Sequence, residues 1–348
     1  MLSPQWCLPV TFRLKGYMSL LFIIFIILVA LVFDYTNGMH DAANSISTIV
    51  STRVLSPRQA VIWAAFFNFV AFLIFSTTVA VTIGKGMIDI KTVTPTVILA
   101  GLSGAIFWNM ITWYFGLPSS SSHALIGGYA GAAIAKSSFG VIIASGWYKT
   151  LFFIVLAPAI GLFLGFILKI MTTWILYKQS PVVVNKWSRV SQLFSAALYS
   201  LGHGGNDAQK TMGIITSLLY TGGFIHEFKV PLWVVLSAHT AIGLGTFSGG
   251  WRIVKTMGQK ITKLTPVDGF CAETSAAFSI FLATHFGIPV STTHVITGAI
   301  SGVGSAIRVS AVRWGVTFRI FWAWVLTIPA AAILAGIIYS LCGIVGLK

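Results

Sequence analysis

Residues 37–44, NGMHDAAN, are matched by residues 203–210, HGGNDAQK, and residues 115–123, FGLPSSSSH, are matched by residues 286–294, FGIPVSTTH. The acidic positions of the first motif, Asp41 and Asp207, are 166 residues apart, and the histidines that close the second motif are 171 apart. Because the two motifs keep nearly the same separation within each half, the chain is a duplication. One shared site between the halves is the economical interpretation.

The composition is that of an integral membrane protein. Hydrophobic residues make up 56% of the 348 residues and charged residues only 8%, whereas a typical soluble domain carries about 25% charged residues. Apolar runs near the length that crosses a bilayer as a helix recur at 17–33, 60–83, 96–115, 150–177, 190–201, 231–247, 270–286 and 318–347. We therefore predict an all-α polytopic fold of two inverted repeats with broken or re-entrant helices and about 10–12 membrane segments.

The charge and cysteine patterns exclude several classes of function. The formal net charge is +15, but Lys and Arg are scattered singly between apolar runs, so no nucleic-acid partner is expected. The three cysteines, Cys7, Cys271 and Cys342, are far apart and lack metal or CxxC spacing, so neither a zinc site nor a disulfide is predicted and they are assigned to packing. We expect no cofactor, and the lipid bilayer is the expected surrounding.

The longest hydrophilic interruption, residues 178–189, lies where a duplication requires a junction. It predicts a first transmembrane repeat over 1–180 and a second over 181–348. With five crossings per half, starting outside, more Lys and Arg residues lie inside the cell than outside, in agreement with the positive-inside rule. The strongly basic segment 252–263 corresponds to the weakly basic segment 85–91, which is expected if equivalent loops face opposite compartments.

Helix breaks are predicted at both motifs. Segments 17–52 and 190–220 are each too long for one crossing and contain Gly next to Asn, Asp and His, which favours a broken or re-entrant helix at each acidic motif. Gly-x-Pro followed by hydroxyl residues ends one helix and supplies N-cap residues for the next, so each Ser/Thr cluster is expected to open a half-helix. Residues 13–15 resemble the start of a signal peptide, but no small-residue cleavage site follows, so a retained first helix is predicted.

Four of the seven acidic residues lie within hydrophobic segments: Asp34, Asp41, Asp207 and Glu273. An ionisable group at mid-membrane costs at least about 2.5 to 3.5 kcal/mol, so each needs either a functional or a structural explanation. Recurrence of the motif favours function for Asp41 and Asp207. The two explanations are evenly balanced for Glu273, and a structural contact is favoured for the unrepeated Asp34.

The side chains around the two central carboxylates suit a small cation. Asn37, Asn44, Asn206 and Gln209 add amide carbonyls, which are hard oxygen ligands. A carboxylate can equally accept a proton, and spacing does not choose between the two. Lys210 is the one cation beside a motif, where it could neutralise Asp207 or attract an anion, and its counterpart in the first half is Asn44.

The Ser/Thr clusters suit an oxyanion. Hydroxyl donors and the free N–H groups of a helix start are expected to converge at Ser120, Ser121, Ser122, Ser291, Thr292 and Thr293. Hydroxyl residues in membrane helices usually bond back to the helix backbone, but duplication of the whole block favours function. The matched His123 and His294 are predicted to contact the anion or handle a proton, and His40 and His203 could tune the acidic motifs.

These motifs resemble those of the inorganic phosphate transporter (PiT) family, in which a G-x-N-D-x-x-N-like block and a P-x-S-[ST]-[ST]-H block occur in each half. The resemblance extends from about residue 34 to residue 332 and includes four motif copies in the correct order. It implies a multi-pass carrier of inverted repeats in the cell membrane, with a bacterial inner membrane expected. Its implied function is secondary import of inorganic phosphate with a coupling cation.

The resemblance also implies roles for individual residues. The cation sites are implied at Asp41, Asn44, Asn206 and Asp207, and the phosphate site at the six hydroxyl residues of the two clusters. Sodium-coupled members usually carry Asn before the first Asp, where this chain has His40. The pattern is similar to that of bacterial low-affinity phosphate permeases, which favours H⁺ coupling, with Na⁺ as the other possible coupling ion, and implies that phosphate can be taken up as a neutral metal complex.

Three alternatives remain open at this point. A sulfate permease of the same fold would use the same donors for another tetrahedral anion. An intramembrane hydrolase using Ser122 or Thr293 is disfavoured because one enzyme site needs no second copy, so no enzyme is predicted. A scaffold or receptor leaves the buried charges unexplained. Coupling stoichiometry, co-transport of a divalent metal, and assembly as a monomer or a homodimer are not decided by the sequence.

Overall fold

The computed structural model describes residues 10–346, with side-chain surroundings for all of these except 10–19 and 259. Over that range the protein is all-α, as predicted, and its only β-type pairing is an isolated bridge between Ile88 and Ile142. The α-helices of the described residues are α1 (Val10–Ser51), α2 (Pro57–Val70), α3 (Thr78–Lys85), α4 (Pro95–Tyr114), α5 (Ser121–Lys136), α6 (Ala144–Leu176), α7 (Pro181–Thr221), α8 (Leu232–Ser248), α9 (Trp251–Gln259), α10 (Pro266–His285), α11 (Thr292–Ile307) and α12 (Trp314–Ile344).

The helix order of the first half recurs in the second. Helices α1 and α7 have 42 and 41 residues, α4 and α10 have 20 each, α5 and α11 have 16 each, and α6 and α12 have 33 and 31. The second series begins at α7, whose N-cap is Ser180. The boundary at 180/181 and the inverted relation of the repeats remain predictions with which this order agrees.

The predicted helix break at each acidic motif is wrong, because α1 and α7 run through their motifs as continuous helices. The motif glycines serve close helix packing instead. A Cβ atom on Gly38 would lie 2.2 Å from the carbonyl oxygen of Ile242 in α8, and one on Gly204 would lie 2.4 Å from that of Asn68 in α2. At these glycines the backbone of each long helix therefore packs directly against the backbone of a helix from the other half.

The broken elements lie next to the motif helices. A bend of 85° separates Pro57–Leu73 from Thr78–Lys85, and a bend of 74° separates Leu232–Ser248 from Trp251–Gly258. The predicted single crossings at 60–83 and 231–247 are thus parts of bent pairs. Four helices in the described part of the chain are long and apolar enough to cross a membrane, and six spans result if each bent pair counts as one.

The second expected break is confirmed at both Ser/Thr clusters. After α4 the chain turns at Gly116, whose φ is 63°, and α5 begins with Ser120 as N-cap, its Oγ accepting from the backbone N–H of His123 at 3.2 Å. After α10 the turn at Gly287 has φ 67°. Ser291 then caps α11 by accepting from the His294 N–H at 3.3 Å.

The two halves pack into each other. Helix α1 packs against α8, α7 against α2, α5 against α12 and α11 against α6, and both hydrophobic cores draw residues from both halves. Helices α6 and α12 present large apolar side chains to the outside, among them Trp174 and Trp322, as expected for surfaces that face lipid. Cys271 is buried and Cys342 is partly exposed, while Cys7 lies outside the described residues.

Candidate functional site

The centre of the molecule brings together the two acidic motifs and the starts of both half-helices. Helices α1 and α7 contribute Asp41 and Asp207, which are 2% and 0% exposed. The Ser121 hydroxyl donates to Oδ1 of Asp41 at 3.2 Å, and the Thr292 hydroxyl donates to Oδ2 of Asp207 at 3.4 Å. Each carboxylate therefore accepts a hydrogen bond from the half-helix of its own half.

Two further hydrogen bonds cross between the halves. The Asn44 Nδ2 donates to Oγ1 of Thr293 at 2.8 Å, so α1 is joined to the start of α11. The Lys210 ammonium donates to Oγ of Ser122 at 2.5 Å, so α7 is joined to the start of α5. The motif positions predicted from the sequence thus form one buried cluster rather than two separate ones.

The carboxylates also lie beside histidines. Nδ1 of His40 is 2.8 Å from Oδ1 of Asp41, and Nε2 of His203 is 3.4 Å from Oδ2 of Asp207. Asp41, His203 and Asp207 each offer one possible metal-ligand atom, a carboxylate oxygen or a ring nitrogen, and these three atoms lie within 4.8 Å of one another. Such a group of carboxylate oxygens and an imidazole could share a proton or hold a small cation.

The residues that precede the two Asp residues stabilise the turns. His40 contacts the hydroxyls of Thr112 and Ser119 through Nε2, at 3.2 and 3.3 Å. Its counterpart Asn206 donates to Oγ1 of Thr284 at 2.8 Å and accepts from the backbone N–H of Val290 at 3.3 Å. Both side chains therefore connect a motif helix to the turn that leads into a half-helix.

The matched histidines face each other behind the hydroxyl clusters. The ring centroids of His123 and His294 are 4.4 Å apart, edge to face, and His294 stacks on Trp324 of α12 with centroids 3.7 Å apart. None of the four imidazole nitrogens has a hydrogen-bond partner among the described residues. Trp324 also donates from Nε1 to the carbonyl of Pro118 at 3.1 Å, so it contacts elements of both halves.

Glu273 lies in a separate polar network. Its carboxylate accepts from Nε2 of Gln192 at 3.0 Å and from the Ser195 hydroxyl at 2.5 Å, both on α7. The equivalent residue of α4, counted from the prolines that open α4 and α10, is the buried Leu102. This network is therefore not duplicated. Gln192 and Ser195 could not be predicted as partners of Glu273, because neither belongs to a repeated motif.

A polar face runs along α1 through the central cluster. Asp34, Asn37, Asp41, Ser45 and Thr48 are spaced by three or four residues and are all buried, so they share one side of the helix. The carboxylate oxygens of Asp34 lack a hydrogen-bond partner within the described residues. The structural role that the sequence favoured for Asp34 stays a prediction.

Two grooves reach the turns before the half-helices. One, of about 390 Å³, is lined by residues 286–289 together with Lys85 and Lys149. The other, of about 490 Å³, is lined by residues 115–118 together with Arg252, Lys255, Lys260 and Arg319. The central cluster itself is buried, so this conformation is closed at the site, with a basic groove beside each turn.

Comparison with known proteins gives consistent matches. Residues 37–188 and 180–335 match the model of the phosphate transporter family. The chain is 60% identical to a probable low-affinity inorganic phosphate transporter of Rhizobium meliloti (strain 1021), covering 90% of this chain and 94% of that relative. It is 47% identical to a protein of the same description from Bacillus subtilis (strain 168), covering 94% and 98%. The fold matches a solved sodium-dependent phosphate transporter with a TM-score of 0.84 and 23% identity, covering 93% and 99% of the two chains.

Proposed function

Because the chain belongs to the phosphate transporter family and is a multi-pass phosphate transporter of the cell membrane, we propose that it imports inorganic phosphate by symport with protons. The observation that carries this proposal is the single buried cluster in which two carboxylates meet the hydroxyls and helix starts of both halves. The family and the relatives are transporters, so the hydrolase alternative is set aside.

The phosphate subsite is proposed at the starts of α5 and α11. Hydroxyl donors and first-turn N–H groups, at the positive end of each helix dipole, converge there from both halves, which suits a tetrahedral oxyanion. Ser120 and Ser291 already accept a backbone hydrogen bond as N-caps, but each hydroxyl proton is still free to donate. His123 and His294 are included because their ring nitrogens have no partner among the described residues.

The coupling ion is proposed to neutralise the carboxylates. Moving a charge against a membrane potential costs about 2.3 kcal/mol per 100 mV, hence about twice that for a dianion. Cations must therefore accompany phosphate into a cell that is negative inside. Asp41 and Asp207 are proposed as the coupling residues, with Asn44 and Asn206 beside them and Glu273 as a separate buried carboxylate.

The transport step is proposed to be a rocking of one repeat against the other. The two basic grooves are the proposed access routes, one from each side of the membrane, because each ends at the turn of a different half. Opening one groove at a time, with the cluster closed between them, would give alternating access. The same cluster would accept a neutral metal-phosphate complex, whose charge needs fewer coupling cations.

The test is uptake of labelled phosphate into liposomes that contain the purified protein. We expect an imposed proton gradient to drive accumulation and an imposed sodium gradient to leave it unchanged. Unlabelled sulfate should compete poorly with labelled phosphate. Accumulation under a sodium gradient alone would refute proton coupling, and equal competition by sulfate would refute selectivity for phosphate.

Replacing Asp41 or Asp207 with Asn tests the coupling residues. Either substitution keeps the side-chain shape but removes the negative charge that attracts a cation, so coupled uptake should be lost. Undiminished accumulation by both variants would refute their role.

A further inference from the structure

Lys210 is a buried cation at the centre of a membrane protein. It is 1% exposed, and its ammonium contacts three oxygens: Oδ1 of Asp207 at 2.5 Å, Oγ of Ser122 at 2.5 Å and the carbonyl of Val290 at 2.8 Å. A carboxylate, a hydroxyl and a backbone carbonyl are also the hard oxygen ligands that a small metal cation takes from a protein. The Nζ atom therefore occupies a position with the donor set of a cation site.

Among the residues whose side chains are described, the first motif has no such ammonium. The residue equivalent to Lys210 is Asn44, which donates to Thr293 as Lys210 donates to Ser122. Within the described residues, the only ion pair of Asp41 is with His40, whereas Asp207 is paired with Lys210. The two motifs thus differ, among other positions, by one fixed positive charge.

We propose that the Lys210 ammonium is the resident counter-cation of the second motif, in the place that a sodium ion would otherwise take, so that only the first motif at Asp41 loads a coupling cation. The inference rests on the proposed symport and specifies which of the two carboxylates, Asp41 or Asp207, binds and releases the coupling cation. Asp207 stays paired with Lys210 throughout the cycle. Asp41 has no lysine beside it, so it is the carboxylate that binds and releases the coupling cation in each cycle.

Charge counting gives the same assignment. Asp41 and Asp207 bring two negative charges and Lys210 one positive charge, so these three side chains together need one added cation to become neutral before phosphate enters. A protein with Asn at both positions would need two. Because a compact ammonium and a sodium ion compete for the same oxygens, Lys210 also explains why sodium would not bind at the second motif.

The variant Lys210→Asn gives position 210 the residue of its counterpart, Asn44, and tests the inference directly. It leaves Asp207, Ser122 and the Val290 carbonyl facing one another without a cation. We expect sodium to bind there, which should give the variant a sodium-dependent rise in Tm, measured in sodium chloride against choline chloride. Phosphate uptake by the variant should become dependent on external sodium, whereas wild-type uptake and Tm should respond equally to both salts.

The control variant is Lys169→Asn. Lys169 pairs with Asp268 at 2.7 Å, and neither residue belongs to the cluster, so this variant removes another lysine–carboxylate pair. This variant is expected to lose stability, because Asp268 is left buried without its partner, but it should show no sodium-specific change in Tm. If Lys210→Asn does not accumulate in the membrane, Lys210→Gln, which also removes the charge but is closer in length, takes its place.

The outcomes separate the inference from the proposed function. A variant with no sodium-specific rise in Tm, or a wild type that already shows one, would overturn the resident-cation inference even if proton-driven uptake is intact. Failure of the wild type to accumulate phosphate under a proton gradient would instead overturn the proposed symport. The Tm comparison needs no transport and still decides the cation site in that case.

Discussion

Replacing Asp207 with Asn should destabilise the protein far more than the same change at Asp41. In Asp207→Asn the Lys210 ammonium, 1% exposed, loses the carboxylate oxygen 2.5 Å away and remains buried with only neutral partners. Removing one partner of a buried ion pair costs about 3–5 kcal/mol. In Asp41→Asn the amide oxygen still accepts from Ser121, so the loss is about that of one hydrogen bond, roughly 1 kcal/mol.

The two variants can be compared by thermal or denaturant unfolding of the purified protein in detergent. The double variant Asp207→Asn with Lys210→Asn completes a double-mutant cycle. It should be more stable than Asp207→Asn alone, because it no longer leaves a buried charge unpaired. Equal stability of the two single variants, or a double variant that is less stable still, would refute the view that Lys210 and Asp207 are a tightly coupled pair.

Three other outcomes follow from the geometry. Gly38→Ala should lower the free energy of unfolding by about 1–3 kcal/mol through overpacking, since its Cβ would lie 2.2 Å from the Ile242 carbonyl oxygen. The control is Gly315→Ala, where nothing lies within 4 Å of the added Cβ. Equal Tm values for the two variants would contradict the close helix crossing at Gly38. Glu273→Gln should fold with little loss of Tm but reduce proton-driven uptake, and unchanged uptake would show that its role is structural. Lys149→Gln should raise the KM for uptake through its groove and weaken the salt dependence of uptake; an unchanged KM would exclude that groove as an access route.

Much of the architecture follows from the sequence because duplicated polar residues in an apolar chain are a strong signal. The all-α class and the capped starts of α5 and α11 were predictable, since Gly-x-Pro and a following Ser have defined effects on helix ends. The convergence of both motifs was also predictable, because a buried carboxylate needs partners and the repeated hydroxyls were the available ones.

The continuity of α1 and α7 was not predictable from local pattern. A Gly next to polar residues can mark a helix break when it faces lipid or water. It marks a close helix–helix crossing when the backbone of another helix lies against it, as at Gly38 and Gly204. Only the tertiary partner separates the two cases. The same holds for the bends after α2 and α8, whose positions carry no repeated motif.

Side-chain partners within the site were also beyond the sequence. The sequence did not predict that the amide of Asn206 bonds to Thr284 and to the Val290 N–H. Nor did it predict that the histidines of the second motif contact each other and Trp324. Which of several adjacent polar residues faces the centre depends on the rotation of each helix, and one residue shifts that direction by about 100°.

The contacts of Trp324 have a consequence for how the bilayer acts on this protein. Its indole donates a hydrogen bond to the Pro118 carbonyl of one half and stacks on His294 of the other. Its neighbours Phe321 and Trp322 are exposed on the same helix. A tilt of that helix, imposed by a thicker or thinner lipid layer, must therefore displace both half-helix starts together. Turnover is expected to depend on acyl-chain length even where affinity does not.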